Sequence, residues 1–226
     1  MSNVAEILGR FPPEQVPVRS HMDDPKIKWR VSKPNYDVVN SKYLSERTRE
    51  HASDSLEKVV ENLFKTFEME AGHKLDPKDW GCIVPDGSFR FKTNNGRWHT
   101  TEELIKVGTY NAFLMQCPFY SAATSDFETS HTLFKTCFSG GFAWELLEVY
   151  ANLPVVNLKW RHWSHFTGPY NDNPATGELL EIVGTAIAIV DSDLKIKQLE
   201  FYYDPNPFMM TLNGGKVECP HANKQK

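Results

Sequence analysis

Two carboxylates, a phenol and a histidine stand out for the chemistry that their types and spacing allow. Glu200, Tyr202 and Asp204 lie two residues apart, so an extended segment projects all three from one face. A carboxyl group held among apolar side chains resists ionisation and becomes a usable base or acid near neutral pH. Two carboxyls in different surroundings divide into base and acid, with the phenol positioning or protonating. His162 shares its strand face with Trp160, Ser164 and Phe166, whereas His165 falls with Lys159, Arg161 and Trp163. The second set is costly to bury because of its cations, so His162 is the histidine expected to face a pocket. There it would be an acid/base partner or an oxyanion donor. The chemistry that fits is removal of a proton next to a carbonyl, with the developing oxyanion held by a second donor.

Each of these residues also has a structural role open to it. The run Asp204-Pro205-Asn206-Pro207 reads equally as a turn that caps a strand, which would leave Leu199, Phe201 and Tyr203 looking inward. His162 reads also as a core histidine satisfied by a neighbouring strand. Glu181 shares a face with Val183, Thr185 and Ile187, and is either a pocket carboxylate or a charge at the wet end of its strand. Tyr110 and Asn111 can reach the mouth of a pocket, Asn111 binding a carbonyl, or can make a helix-to-sheet contact. Trp160, Trp144 and Phe166 are the rings expected near a ligand. His73 and His131 read as helix residues without partners.

The elements that must position these groups are legible in the periodicity. Four runs rich in β-branched and aromatic residues, 142–150, 155–166, 178–190 and 194–204, are separated by turn chemistry and read as an antiparallel meander. Upstream, Asp54 and Glu57 stand in capping-box relation before the stripe Leu56, Val59, Val60, Leu63, Phe64 and Phe67. Glu57, Lys58, Glu61 and Lys65 are then expected on the wet face. Thr100 with Glu103 opens a helix running through Leu114, and Ser125 with Glu128 opens another to about Phe138. A short helix over 36–50 and a hairpin turning at Asn94-Asn95-Gly96 complete the set. Helices first and strands afterwards is an α+β layout, with helices packed on one face of the sheet.

Composition narrows the function classes. The 226 residues carry a formal net charge of -4 and no Lys/Arg cluster, so there is no footprint for nucleic acid. No apolar run reaches membrane-spanning length and the first ten residues lack the regions of a signal peptide, so a cytoplasmic protein with no membrane contact is expected. Cys82, Cys117, Cys137 and Cys219 have no metal-ligand spacing, and Cys219 with His221 is too small a set for zinc. No phosphate-binding glycine motif occurs.

Several stretches resemble a known family. The run 168–177 (GPYNDNPATG), the strand with Glu181 and Val183, Lys195-Ile196, and the closing Glu200 to Asp204 resemble the SnoaL-like polyketide cyclases of the NTF2-like superfamily. Lys28-Trp29-Arg30, residues 34–40, Glu46-Arg47-Thr48, residues 65–70, the run 108–114 (GTYNAFL) and Arg161-His162-Trp163 resemble the plant and fungal pathogen-related protein branch. The resemblance covers about residues 28–208. It implies an α+β cone whose curved sheet and covering helices enclose an apolar pocket, often in a homodimer, with no cofactor. It also implies an acidic residue at the position of Asp204. Residues 1–35 are then an extended arm, 36–210 the NTF2-like domain and 211–226 a tail. The function expected is a cyclase or isomerase of secondary metabolism acting on a hydrophobic polyketide- or terpenoid-like molecule. A non-catalytic hydrophobic-ligand binder, and a dehydratase or hydrolase (a lyase or water-activating use of the same carboxylate), are the alternatives.

Overall fold

The structure, a computed structural model, describes residues 4–115, 117–151 and 153–215. Among them the chain forms α1 (Val4–Leu8), α2 (Asp37–Glu46), α3 (Leu56–His73), β1 (Arg90–Thr93), α4 (Thr101–Val107), α5 (Thr109–Leu114), α6 (Phe127–Cys137), β2 (Ala143–Ala151), β3 (Val155–His165), β4 (Leu179–Val190), β5 (Ile196–Tyr202) and α7 (Asn206–Leu212). One curved sheet in the order β1-β5-β4-β3-β2 lies against helices, the α+β arrangement expected of an NTF2-like domain.

The meander β2 to β5 is antiparallel, and β3 and β4 pair without a break from Val155↔Ile189 to His165↔Leu179. That register fixes the faces. Trp144, Leu146, Leu158, Trp160, Ala186, Ala188, Leu199 and Phe201 enter the main core with Phe64 and Phe67 of α3. A fifth strand, β1, read from the sequence as an arm of a hairpin apart from the meander, instead adds parallel to β5. Phe89 and Phe91, both fully buried, draw it in, and Phe91 stacks on Phe67 with centroids 6.1 Å apart. The expected hairpin reduces to one antiparallel bridge, Phe91↔His99.

Helix starts follow the side-chain caps. Ser55, one residue on from the Asp54 expected, caps α3 by accepting from the Lys58 backbone N–H at 3.1 Å. Thr100 and Glu103 form the complete capping box of α4. The helix expected to continue to Leu114 is broken at Gly108, whose φ of 88° only glycine adopts readily and whose Cβ, if present, would lie 2.6 Å from the Phe127 ring. The Pro-rich turn after β5 opens α7 instead of ending the fold, since proline is tolerated in a first helical turn. Phe208, Met209 and Leu212 of α7 are buried.

The N-terminal arm and α2 cover the outward face of the sheet at β2 and β3. Tyr43, Leu44, Ala143 and Trp163 form a second core with Leu8, Phe11, Val16 and Val39 against it. This cover explains why Trp163, on the face that alternation turns outward, is fully buried. It also overturns the wet-face reading of α3: Lys58, Glu61 and Lys65 are all buried. Trp29 pins the arm through a bridge to Lys74, whereas Val31 is exposed. Cys219 and His221 lie outside the described residues.

Candidate functional site

Helix α3 has two stripes. Val60, Phe64, Phe67 and Ala71 meet the sheet. Glu61, Lys65 and Glu68 recur at the same i, i+4, i+7 spacing on an adjoining face, between α2, the arm and the edge of the sheet. Glu61 accepts from the Tyr43 hydroxyl at 2.5 Å and pairs with Lys58 at 3.1 Å. Lys65 donates to the Trp144 carbonyl at 2.5 Å, with its ammonium 4.2 Å from the Tyr43 ring centroid. Glu68 keeps part of its surface uncovered. It feels the charges of Arg19 and Lys65, and itself acts on the phenols of Tyr36 and Tyr110. Arg19 stacks over Tyr36, 3.6 Å from the ring centroid, and donates through Nη1 to Asn40 at 2.9 Å.

Burial sets the electrostatics of this cluster. It pushes the Glu68 carboxyl up, and the attraction of Arg19 and Lys65 only partly offsets the effect. Loss of water, reinforced by the Arg19 charge, draws the Lys65 ammonium down to about 7. Burial also raises the Tyr36 and Tyr110 phenols, with Glu68 adding to the rise in each. Glu61 is different. Burial raises it, but Lys65, the Tyr43 hydroxyl and Lys58 together outweigh that and hold its carboxyl low. The interior therefore contains one carboxyl shifted toward its neutral form, two intact phenol donors and a lysine poised near neutrality.

His162 completes the interior set. Its ring stacks on Phe142 with centroids 3.6 Å apart, and its buried Nε2 has no partner. Burial pulls its pKa down to about 3, against a hydrogen bond to the Phe142 backbone that favours the charged form. A neutral imidazole at that depth can position a polar ligand atom; it is a poor proton carrier near neutral pH. Trp160, its indole N–H also unpartnered, meets Phe201 and Tyr203 edge-on at 5.8 and 5.5 Å. Trp144 stacks on Phe64 at 5.5 Å, Tyr110 stacks on Phe134 at 4.5 Å, and Phe166 is buried.

The other residues singled out in the sequence lie elsewhere. Because Leu199 and Phe201 turn inward, Glu200 and Tyr202 project from the opposite face, where Tyr202 donates to Glu200 at 2.5 Å and Lys92 pairs with Glu200 at 2.7 Å. Asp204 is exposed and accepts from the Asn206 backbone at 2.9 Å, the strand-capping turn. Glu181 stands on the outward face, bonded to Arg161 at 2.7 Å. Asn111 brackets the fold: its amide donates to the Val107 and Ser125 carbonyls and its oxygen accepts from Tyr120. His73 and His131 are not isolated; their rings meet edge-on at 5.7 Å. The sequence signal for the interior cluster is the second i, i+4, i+7 row on α3. A charged row of that kind reads as solvated until the arm and α2 are seen to cover it.

No protein-family model matches the chain. A protein from Jannaschia sp. CCS1 described as a SnoaL-like polyketide cyclase superposes with a TM-score of 0.42 at 12% identity, over 73% of this chain and 96% of its own. An NTF2-like protein from Cytophaga hutchinsonii superposes with a TM-score of 0.37 at 10% identity, over 66% and 100%. In sequence, the Pathogen-related protein of Hordeum vulgare is 36% identical over 192 residues, 81% of each chain. A likeness of that depth and extent is a family relationship, and the chain belongs to the pathogen-related protein family.

Proposed function

We propose that this protein is a cofactor-independent cyclase or isomerase of secondary metabolism, acting on a hydrophobic, enolisable small molecule. The observation that supports this reading is the Glu68 carboxyl, part-covered on α3, raised by burial and near enough to the Tyr36 and Tyr110 phenols to act on both. Glu68 would take the proton from carbon, and a phenol would donate to the enolate oxygen as charge develops there. The uncharged imidazole of His162 and the Lys65 ammonium would hold polar atoms of the substrate. Asp204, Glu200 and Tyr202 stand outside this constellation, so the base is reassigned from β5 to α3. The reading includes a cytoplasmic setting and a homodimer.

One observation favours the alternative of a ligand binder without turnover. His162, with a pKa of about 3, is unsuited to relay a proton near neutral pH, and the Hordeum vulgare relative is described as a pathogen-related protein. Native mass spectrometry of protein purified from its own host, with extraction of anything bound, separates the two. The enzyme reading expects a compound recovered together with its cyclised or isomerised product. It also expects Glu68→Gln to keep the ligand and lose turnover while Asp204→Asn behaves as wild type. A single unchanged compound, indifferent to Glu68→Gln, establishes the binder. Loss of turnover in Asp204→Asn alone returns the base to β5.

A further inference from the structure

Arg19 is a half-buried cation whose inner nitrogens are covered. Nη1 donates to Asn40 at 2.9 Å and the Tyr36 hydroxyl lies close enough to act on the guanidinium, but Nε and Nη2 are both buried without an acceptor in hydrogen-bond geometry. Unpaired N–H groups of a buried guanidinium are costly, and such orphans call for an explanation. The two are not a random pair. Nε–H and Nη2–H run parallel along one edge of the guanidinium plane, the side-on fork that matches the two oxygens of a carboxylate. Glu68, whose charge Arg19 feels, does not occupy that fork.

The surroundings hold the fork in place. On either side of Arg19 the arm is tied to α3, by the Val18 N–H to Asn62 at 3.2 Å and the Ser20 N–H to Thr66 at 3.0 Å. The Arg19 Cζ sits over the Tyr36 ring, 3.6 Å from its centroid, and Nη1 is fixed by Asn40. Arg19 and Tyr36 line a cleft of about 450 Å³ between the arm and the start of α2, which Pro17, Met22 and Pro34 make partly apolar. Glu68 and Tyr110 both lie near enough to Tyr36 to act on its phenol, and the Tyr110 ring packs on Phe134 in the aromatic interior.

We propose that the ligand is an amphipathic carboxylic acid, its carboxylate gripped side-on by Nε and Nη2 of Arg19 and its apolar body running past Tyr36 toward Tyr110 and the ring-lined interior. The inference rests on the reading of this interior as a site for hydrophobic small molecules, and it names the group by which they are anchored.

Calorimetric titration with octanoate and octanamide at neutral pH tests the fork, using wild type, Arg19→Lys and Arg19→Gln, each checked for folding by thermal melting. Wild type is expected to prefer octanoate by tenfold or more. Arg19→Lys, which keeps the charge but loses the paired donors, is expected to bring that preference below threefold, and Arg19→Gln to erase it while octanamide affinity is retained. Equal affinity of wild type for the two probes, or an undiminished preference in Arg19→Gln, overturns the acid anchor and leaves the hydrophobic site standing. Binding of neither probe overturns both.

Discussion

His162 lies face to face with Phe142, their rings 9° from coplanar and 3.6 Å apart, with Nε2 buried and unpartnered. A histidine so placed is folded in its neutral form. Its pKa is about 3 in the folded chain, while the unfolded chain titrates near 6.5. Between those values the unfolded state binds the extra proton, so stability falls as pH drops from 6.5 toward 3, by up to about 1.4 kcal/mol per pH unit. His73, drawn down to about 4 mainly by burial, and His99 and His131, both lowered mainly by burial, add contributions of the same sign. Urea midpoints of His162→Phe at pH 7 and pH 4.5 should therefore differ by less than those of wild type. An unchanged difference would mean that His162 is protonated in the folded protein.

Glu145 is fully buried on the outward face of β2, where it accepts from the Thr48 and Arg49 backbone N–H groups and pairs with Arg161 at 3.1 Å. It joins the chain after α2 to the sheet. Glu145→Ala leaves the Arg161 guanidinium short of a partner and two backbone donors without acceptors. Such a break costs about 3–5 kcal/mol, to be read as a fall in the urea midpoint. A loss under about 1 kcal/mol would show that the arm and α2 hold without it.

Gly184 is the point of closest approach in the sheet. A Cβ there would lie 2.6 Å from both the Trp160 ring and the Tyr202 carbonyl oxygen, and 2.8 Å from the Tyr203 Cβ. Two of these neighbours are backbone or directly attached to it and cannot swing away. Gly184→Ala is expected to destabilise by about 1–3 kcal/mol by overpacking and to alter near-ultraviolet dichroism through Trp160. Wild-type stability would mean that β4 and β5 can part locally at no cost.

Asn111 makes hydrogen bonds with both ends of its amide inside the protein. Asn111→Ala should therefore lower stability by about 1–3 kcal/mol, through the buried carbonyls and the Tyr120 hydroxyl left unpaired. Ligand affinity measured on the folded variant should stay within about twofold. A large selective loss of affinity would restore Asn111 to a binding role.

The helices and strands were legible because their signals are local. The stripe of α3, the capping box at Thr100 and the alternation along β3 and β4 need only neighbours in sequence. So did the face of His162, which alternation groups with Trp160 and Phe166 of the core. What escaped depends on distant partners. β1 is four residues long and gains its place by burying Phe89 and Phe91 beneath α3. The parity of β5 was open between two faces until Phe201 met Phe64, 6.0 Å away across the core. Lys58, Glu61 and Lys65 read as a solvated face because nothing in α3 announces that α2 and an arm from the first 35 residues lie over it. Charged side chains at helical spacing carry no mark of their own burial.

The ionisation of Glu68 tests the account most directly. With the glutamate side chains labelled with 13C at the carboxyl carbon and Glu68→Gln used for assignment, the signal can be followed by NMR from pH 3 to pH 9 in the ligand-free protein. The account predicts a midpoint above the ordinary value of about 4.3, since burial outweighs the pull of Arg19 and Lys65. A midpoint at or below that value would mean a solvated or fully paired carboxylate, and α3 would then hold no base.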